Sequence, residues 1–319
     1  MRLLITGAGG FVGAAVAREA AAMGHDVIGT VRIDGQHARL DGLAQNVRVV
    51  ALDLRDRRAL VALVHEAHPD AIIHAAWGGV SNKARQDLSQ TFDNINTACS
   101  LLNAGVEVGI SKFVGIGSQS EYGPLSGRIS EQDLPEPISL YGAAKLAVLH
   151  LTRQLSAQGG ISFAWLRLFA TYGPGDNPHW LIPGLIEEML NGVRPRTTLG
   201  TQLWDYLFID DAALGILAVT TEPTATGVFN LGSGQPRKVR EIVELIRDLT
   251  APELELVFGE IPYRQDQIWH MEAATERLRT NTGWVPRISL ETGLARTIDW
   301  HRARRLAAVH QHVVGARHA

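Results

Sequence analysis

Tyr141 and Lys145 are the residues whose types and spacing first suggest chemistry. Four apart on a helix, a phenol and an ammonium share one face and lie about a side chain from each other. A free phenol titrates near pH ~10 and a neighbouring cation favours the phenolate, so the pair can make a proton donor or acceptor out of a tyrosine. The same spacing also fits an exposed helix face with no chemistry at all, so its meaning depends on its surroundings. Ser139 is placed to cap that helix. Ser118 follows residues 112–117, an apolar run that reads as a strand. At that carboxyl end its hydroxyl either bonds a substrate oxygen beside Tyr141 or closes a turn on its own backbone.

The elements that must position these groups begin at residue 2. Residues 2–6 read as a strand, and Gly7, Gly10 and Gly13, with Phe11 and Val12 between them, then open an Ala-rich helix that runs to about residue 23. Gly at these spacings allows a tight strand-to-helix turn, close approach of backbone amides to a pyrophosphate, and packing of the helix on the sheet. The next strand, 26–31, ends in Thr30, Val31 and Arg32, with Asp34 late. An acid at this corner suits the adenosine ribose hydroxyls and a base suits an added 2′-phosphate. NADP(H) is therefore the preferred cofactor, with NAD(H) left open because Arg32 also reads as a solvated loop arginine and Asp34 can swing in. A third strand, 47–52, leads to Asp53 and Leu54, where an adenine edge would lie. A fourth, 71–74, leads to Ala75 and Ala76, small enough to leave room for a cofactor. Trp77 comes next, lining a substrate mouth or capping the core.

Strands alternating with helices at this spacing imply a Rossmann-type doubly wound parallel α/β sheet with right-handed crossovers. The cofactor domain is expected over 1–168, with a return to the same sheet at about 205–222. A smaller mixed α/β C-terminal region, 169–319, is expected mainly to bind substrate. Helices are expected at about 182–191 and 239–249, and the basic tail, 302–319, reads as a frayed helix.

A net charge of −3 gives no reason to expect nucleic-acid binding. Cys99 is the only cysteine, which excludes an intramolecular disulfide and a Cys-based zinc site, and the twelve histidines show no H-E-x-x-H spacing, so no metal is expected. No run approaches the roughly 18 to 20 apolar residues of a membrane span. The N-terminus lacks a secretory pattern. A cytoplasmic protein without membrane contact is expected.

The Gly triplet, Asp53, Ala75 and Ala76, Asn94, Ser118 and the Tyr141/Lys145 pair together resemble the extended short-chain dehydrogenase/reductase family of nucleotide-sugar epimerases, dehydratases and reductases. Later stretches agree in order: 167–174 with Phe169, 204–211 with Trp204 and Tyr206, 229–234, and 283–286. The resemblance implies a Ser/Tyr/Lys set at an NAD(P) nicotinamide. Tyr141 would exchange a proton with the substrate oxygen, Lys145 would bond the ribose and lower the Tyr141 pKa, and Ser118 would orient the substrate. Asn94 and Phe169 join the cofactor contacts. A homodimer through the Tyr-bearing helix and the long helix before it is also implied.

Within that family, sugar 4,6-dehydratases carry an acidic or Ser-Glu pair just after the catalytic Ser or Thr. Gln119 and Ser120 stand there, with Glu121 one place later, so dehydration is not expected. The Arg32 corner favours an exchangeable NADPH, hence a reductase of a nucleotide-linked 4-keto-6-deoxy sugar. The alternatives are a nucleotide-sugar epimerase with tightly held cofactor and, third, a cofactor-binding sensor without chemistry. Ala170 and Trp204 replace an Asn and an Arg that relatives use on the substrate diphosphate, which leaves Arg264, within residues 262–266, to hold it. Trp77, Ser118, Gln119, Ser120, His179, Trp204 and Tyr206 complete the expected substrate pocket.

Overall fold

The computed structural model of the chain describes residues 1–35, 38–43, 45–80, 82–265 and 267–315; Asp266 and the end of the tail, 316–319, lie outside the described residues. In chain order the first half contains β1 (Arg2–Thr6), α1 (Phe11–Ala22), β2 (Asp26–Val31), β3 (Val47–Ala51), α2 (Arg57–Ala67), β4 (Ala71–His74), α3 (Ser89–Val108), β5 (Lys112–Ser118), the short β6 (Gly127–Ile129) and α4 (Leu140–Gln158). β7 (Ser162–Leu168), β8 (Ala170–Tyr172), α5 (Leu181–Leu190), β9 (Leu203–Trp204), β10 (Tyr206–Phe208), α6 (Ile209–Thr221) and β11 (Gly227–Leu231) follow. β12 (Arg237–Lys238), α7 (Val239–Thr250), β13 (His270–Ala273), α8 (Glu276–Thr282) and α9 (Leu290–Gly315) complete the described chain.

Seven strands form one sheet in the order β11-β7-β5-β4-β1-β2-β3, and every pairing in it is parallel. A parallel sheet buries both faces, and the side chains divide accordingly. Leu3 and Ile5 of β1 pack with α1 and α6, whereas Leu4 packs with α2, α3 and α4; β4 and β5 repeat the division with Ile73 against Ile72 and Val114 against Phe113. The Rossmann-type α/β class expected from the sequence is the one observed. The strand order reverses between β1 and β4, which opens a crevice beyond their carboxyl ends.

The smaller region contains a parallel pair, β8 with β10, and a mixed four-stranded sheet, β12-β9-β13-β6. Asp205, fully buried between β9 and β10, joins it to the large sheet. Its carboxylate accepts from the backbone N–H of Ser233 at 2.7 Å, of Gly234 at 2.9 Å and of Ala273 at 3.0 Å, and from the Ser233 hydroxyl. One side chain thereby holds the exit of β11 and the end of β13.

Candidate active site

The crevice is a cleft of about 1960 Å³ that runs from the glycine loop, past the ends of β4 and β5, to β9 and the segment 258–268. At its cofactor end, Gly7 adopts φ +73°, and a Cβ there would lie 2.7 Å from the Ala76 backbone. A Cβ on Gly13 would meet the Gly7 carbonyl oxygen at 2.2 Å, so the loop and α1 close on each other only without side chains. The amino end of α1 has no side-chain cap. Its free N–H groups and positive dipole end suit a pyrophosphate, so these residues fit a dinucleotide. Asp53, Leu54, Ala75, Ala76, Asn94 and Phe169 line the same cleft. Asn94 is turned onto the chain, its side-chain carbonyl accepting from Gly78 N–H at 2.8 Å.

α4 starts where Ser139 predicts, its hydroxyl accepting from Gly142 N–H at 3.1 Å. That register turns Tyr141 and Lys145, both buried, toward the end of β5. The Lys145 ammonium donates to the Ile116 carbonyl at 2.6 Å and lies 3.7 Å from the centre of the Trp77 ring and 5.9 Å from that of Tyr141. Trp77 stands edge-on to Tyr141 and donates its indole N–H to Gln90 Oε1 at 2.8 Å. On the other side, the Arg85 guanidinium lies over the Tyr141 ring at 4.8 Å.

Burial dominates the electrostatics. It pushes Lys145 down to about 7, opposed by the Glu121 carboxylate. It pushes the Tyr141 hydroxyl up, more than hydrogen bonding with Ser118 and the Arg85 charge bring it down. Tyr141 is thus raised in the protein alone, where a lowering was expected, because desolvation of the phenolate outweighs the Ser118 hydrogen bond and the Arg85 charge. His74, fully buried and held to the Thr6 hydroxyl at 2.8 Å, is pushed down to about 3 by burial and by Lys145, which leaves it neutral at ordinary pH.

Glu121 belongs to the core rather than the cleft. Its carboxylate accepts from Ser118 N–H at 2.9 Å, Trp165 Nε1–H at 3.0 Å and Arg167 Nε–H at 2.8 Å. Gly117 makes room for it, since a Cβ there would lie 2.5 Å from that carboxylate and 2.1 Å from the Trp165 indole nitrogen. Sequence reading missed this triad. Its signal was present: a charged residue in the middle of the apolar run 163–168 calls for a buried partner.

The remaining expected substrate residues also line the cleft: Gln119, Ser120, His179, Trp204, Tyr206 and Arg264. His179 and Arg264 are exposed at its rim, and Tyr206 stands edge-on to Tyr172. Arg39 and Asp176, like Arg85, are cleft residues that were not foreseen. Arg39 joins the glycine loop to the loop after β8 by donating to Gly9 and Gly175 carbonyls at 3.2 and 2.9 Å. Asp176 is pushed up to about 7 by burial. Among the described residues no group of three or more His, Cys, Asp or Glu is placed to hold a metal, and no helix is long and apolar enough to cross a membrane.

This fold and cleft define an NAD(P)-dependent enzyme of the extended short-chain dehydrogenase/reductase type. The chain belongs to the NAD dependent epimerase/dehydratase family, whose model matches residues 3–232. It is 28% identical to a dTDP-glucose 4,6-dehydratase of Streptomyces griseus (95% of this chain, 94% of that one) and 28% identical to a UDP-glucose 4-epimerase of Corynebacterium glutamicum (90% and 91%). It is 30% identical to a GDP-6-deoxy-D-mannose reductase of Pseudomonas aeruginosa over 73% of this chain and 80% of that one. Among solved structures it is similar to MoeE5 in complex with UDP-glucose and NAD (TM-score 0.83, 29% identity, 95% and 99% covered). It is likewise similar to the UDP-glucuronic acid 4-epimerase of Bacillus cereus with UDP-glucuronic acid and NAD (TM-score 0.81, 26% identity, 95% and 99% covered).

These relatives overturn the expectation of NADP(H): both are complexes with NAD. The structure supplies the physical reason. Arg32 is exposed, and the corner it shares is not simply basic. Arg32, Asp34, Asp53 and Arg55 all line it, with Arg55 paired to Asp53 at 2.8 Å and Asp34 near enough to act on Arg55. Two acids against two arginines give a 2′-phosphate no net attraction.

Proposed function

We propose that the protein is a nucleotide-sugar epimerase that inverts C4 of a hexose, with NAD held through the cycle. The observation that carries this reading is that Tyr141 is the acid–base group beside Ser118 in the cleft. Tyr141 opens on the cleft, whereas Glu121 is fastened to Ser118, Trp165 and Arg167. Oxidation and reduction at one carbon need one proton taken and returned, whereas dehydration needs a further acid and base, which Gln119 and Ser120 do not provide. The NAD, UDP-glucose and UDP-glucuronic acid complexes of the similar structures support both the cofactor and a nucleotide-sugar substrate.

When bound, the dinucleotide supplies the hydride acceptor and donor and a positive ring that favours phenolate. Tyr141 takes the C4 hydroxyl proton as the carbonyl forms and returns it to the same oxygen once the keto sugar has turned over and C4 has been reduced from its other face. Ser118 holds the oxygen, its own position fixed through Glu121. Lys145 favours the phenolate and offers its N–H groups to the nicotinamide ribose. Residues Gly7, Gly10, Phe11, Val12 and Gly13 cradle the pyrophosphate, and Asp53, Leu54, Ala75, Ala76, Asn94 and Phe169 line the rest of the coenzyme. Arg264 takes the substrate diphosphate, since Ala170 and Trp204 bring no charge to it. A homodimer through α3 and α4 completes the proposal.

The test is to incubate the NAD-loaded protein with UDP-glucose, UDP-glucuronate and their dTDP and GDP counterparts, following the sugars by proton NMR. A mixture of C4 epimers with no net change in reduced cofactor is expected. Stoichiometric oxidation of added reduced cofactor with a keto sugar, without epimer, would replace the epimerase by a reductase like the Pseudomonas aeruginosa relative.

A further inference from the structure

We propose that Arg85 selects a carboxylate on C6 of the sugar, so that the substrate is a nucleotide hexuronate. This rests on the nucleotide-sugar reading and adds to it the chemical class of the sugar. Arg85 lies in the short turn between β4 and α3, and that turn is fastened to the start of α4. Gln86, the next residue, donates to the Ile138 carbonyl at 3.4 Å and accepts from Leu140 N–H at 3.2 Å. The guanidinium is thereby held over the ring of Tyr141, at 4.8 Å, on the wall of the cleft. It is half-buried, and its Nε is buried without a hydrogen-bond partner among the described residues. Arg167, buried behind Ser118, has by contrast the Glu121 carboxylate at 2.8 Å. A buried guanidinium N–H without a partner is costly, so a ligand anion is the partner its position calls for.

The geometry of a pyranose decides which anion. C1, which carries the diphosphate, lies across the ring from C4. A cation beside the residue that exchanges the C4 proton therefore reaches substituents of C3, C4 and C5, not the diphosphate. C6 hangs from C5, next to the reacting carbon, and its carboxylate matches the two parallel N–H groups of a guanidinium. Trp77, Gln86, Gln119, Ile138 and Ser139, which line the cleft on the stretches next to Arg85 and Tyr141, are uncharged, and the Lys145 ammonium beside Trp77 adds a second positive charge to that end.

The experiment compares UDP-glucuronate with UDP-glucose, which differ at C6 alone, by calorimetric titration of the NAD-loaded protein. The same pair on thymidine and guanosine diphosphates covers the base. Wild-type protein is expected to bind the uronate about tenfold or more tightly than the neutral sugar, as a charged hydrogen bond provides. Arg85→Gln should bring that ratio close to one, and Arg85→Lys should restore part of it. A wild-type ratio near one overturns the inference, as does an Arg85→Gln variant that keeps the preference or weakens both sugars alike, the latter marking Arg85 as a partner of Tyr141 alone. Preferential binding of the uronate without epimer formation in the NMR assay sinks the epimerase reading and leaves the carboxylate site standing. Binding of no member of any pair overturns both.

Discussion

The two ends of β5 each bury a lysine ammonium against a main-chain carbonyl, and only one of them is a candidate for chemistry. At the amino end Lys112 donates to the Glu222 carbonyl, and burial, opposed by the Glu222 carboxylate, pushes it down to about 8. At the carboxyl end Lys145 donates to Ile116, and burial, opposed by Glu121, pushes it down to about 7. The physics is the same at both ends. What differs is company: Lys145 shares a cleft with Tyr141, Trp77 and Ser118, while Lys112 lies outside it. A displaced pKa marks burial, and it marks a site only where a cleft and a proton-transfer partner come with it.

The largest expected effect that tests this contrast is at the partner. Tyr141→Phe should lower kcat by about 10³-fold with bound NAD retained, since it removes the group that carries the proton. Turnover within an order of magnitude of wild type would take the chemistry away from this end of β5. Next, Lys145→Met should cost roughly 10²-fold in kcat. Lys112→Met should leave kcat unchanged, and equal losses in both would dissolve the contrast. The methionine at 145 should also raise stability in denaturant. The folded pKa of Lys145 lies below the ordinary ~10.4, so the wild-type protein gains stability as pH rises from about 7 through that window, and the advantage of Lys145→Met is greatest below about pH 7.

A smaller effect, on stability, probes what fixes the catalytic end. Glu121→Gln leaves Arg167 buried without its carboxylate and should cost about 3–5 kcal/mol in chemical denaturation. Removing both charges, as Glu121→Gln with Arg167→Met, should recover most of that loss, and a double variant no more stable than the single would show that packing dominates. The smallest effect is read by NMR. The Lys145 side-chain resonances should titrate with a midpoint about 7 and those of Lys112 about 8, with Lys145 moving lower in Glu121→Gln because the carboxylate that favours its ammonium is gone. Midpoints in the ordinary lysine range would remove burial as the cause.

Local signals made much of this legible in the sequence. β1, β2 and β4 fall at the residues that apolar runs and glycines mark, and Ser139 caps α4 as its type predicts. The glycine loop, Ser118, Tyr141 and Lys145 were visible because each sits at the end of an element whose period announces it. β6, β9 and β12 were not, since two or three residues hold no period to read. Contacts between distant residues were also hidden. Glu121 meets Arg167 across 46 residues, and Arg85 meets Tyr141 through a turn without regular pattern. The cofactor was misread for the same reason. Arg32 was weighed against Asp34 alone, whereas the charge of its corner is also set by Asp53 and Arg55 arriving after the next strand.

Asp205 has a mechanical consequence. With both carboxylate oxygens bonded to three backbone N–H groups and a hydroxyl, it works as a weld between the two lobes. A hinge at that junction would have to break all of those bonds at once. The side chains on the walls of the cleft can then be exchanged for others while the chassis that carries them stays in register.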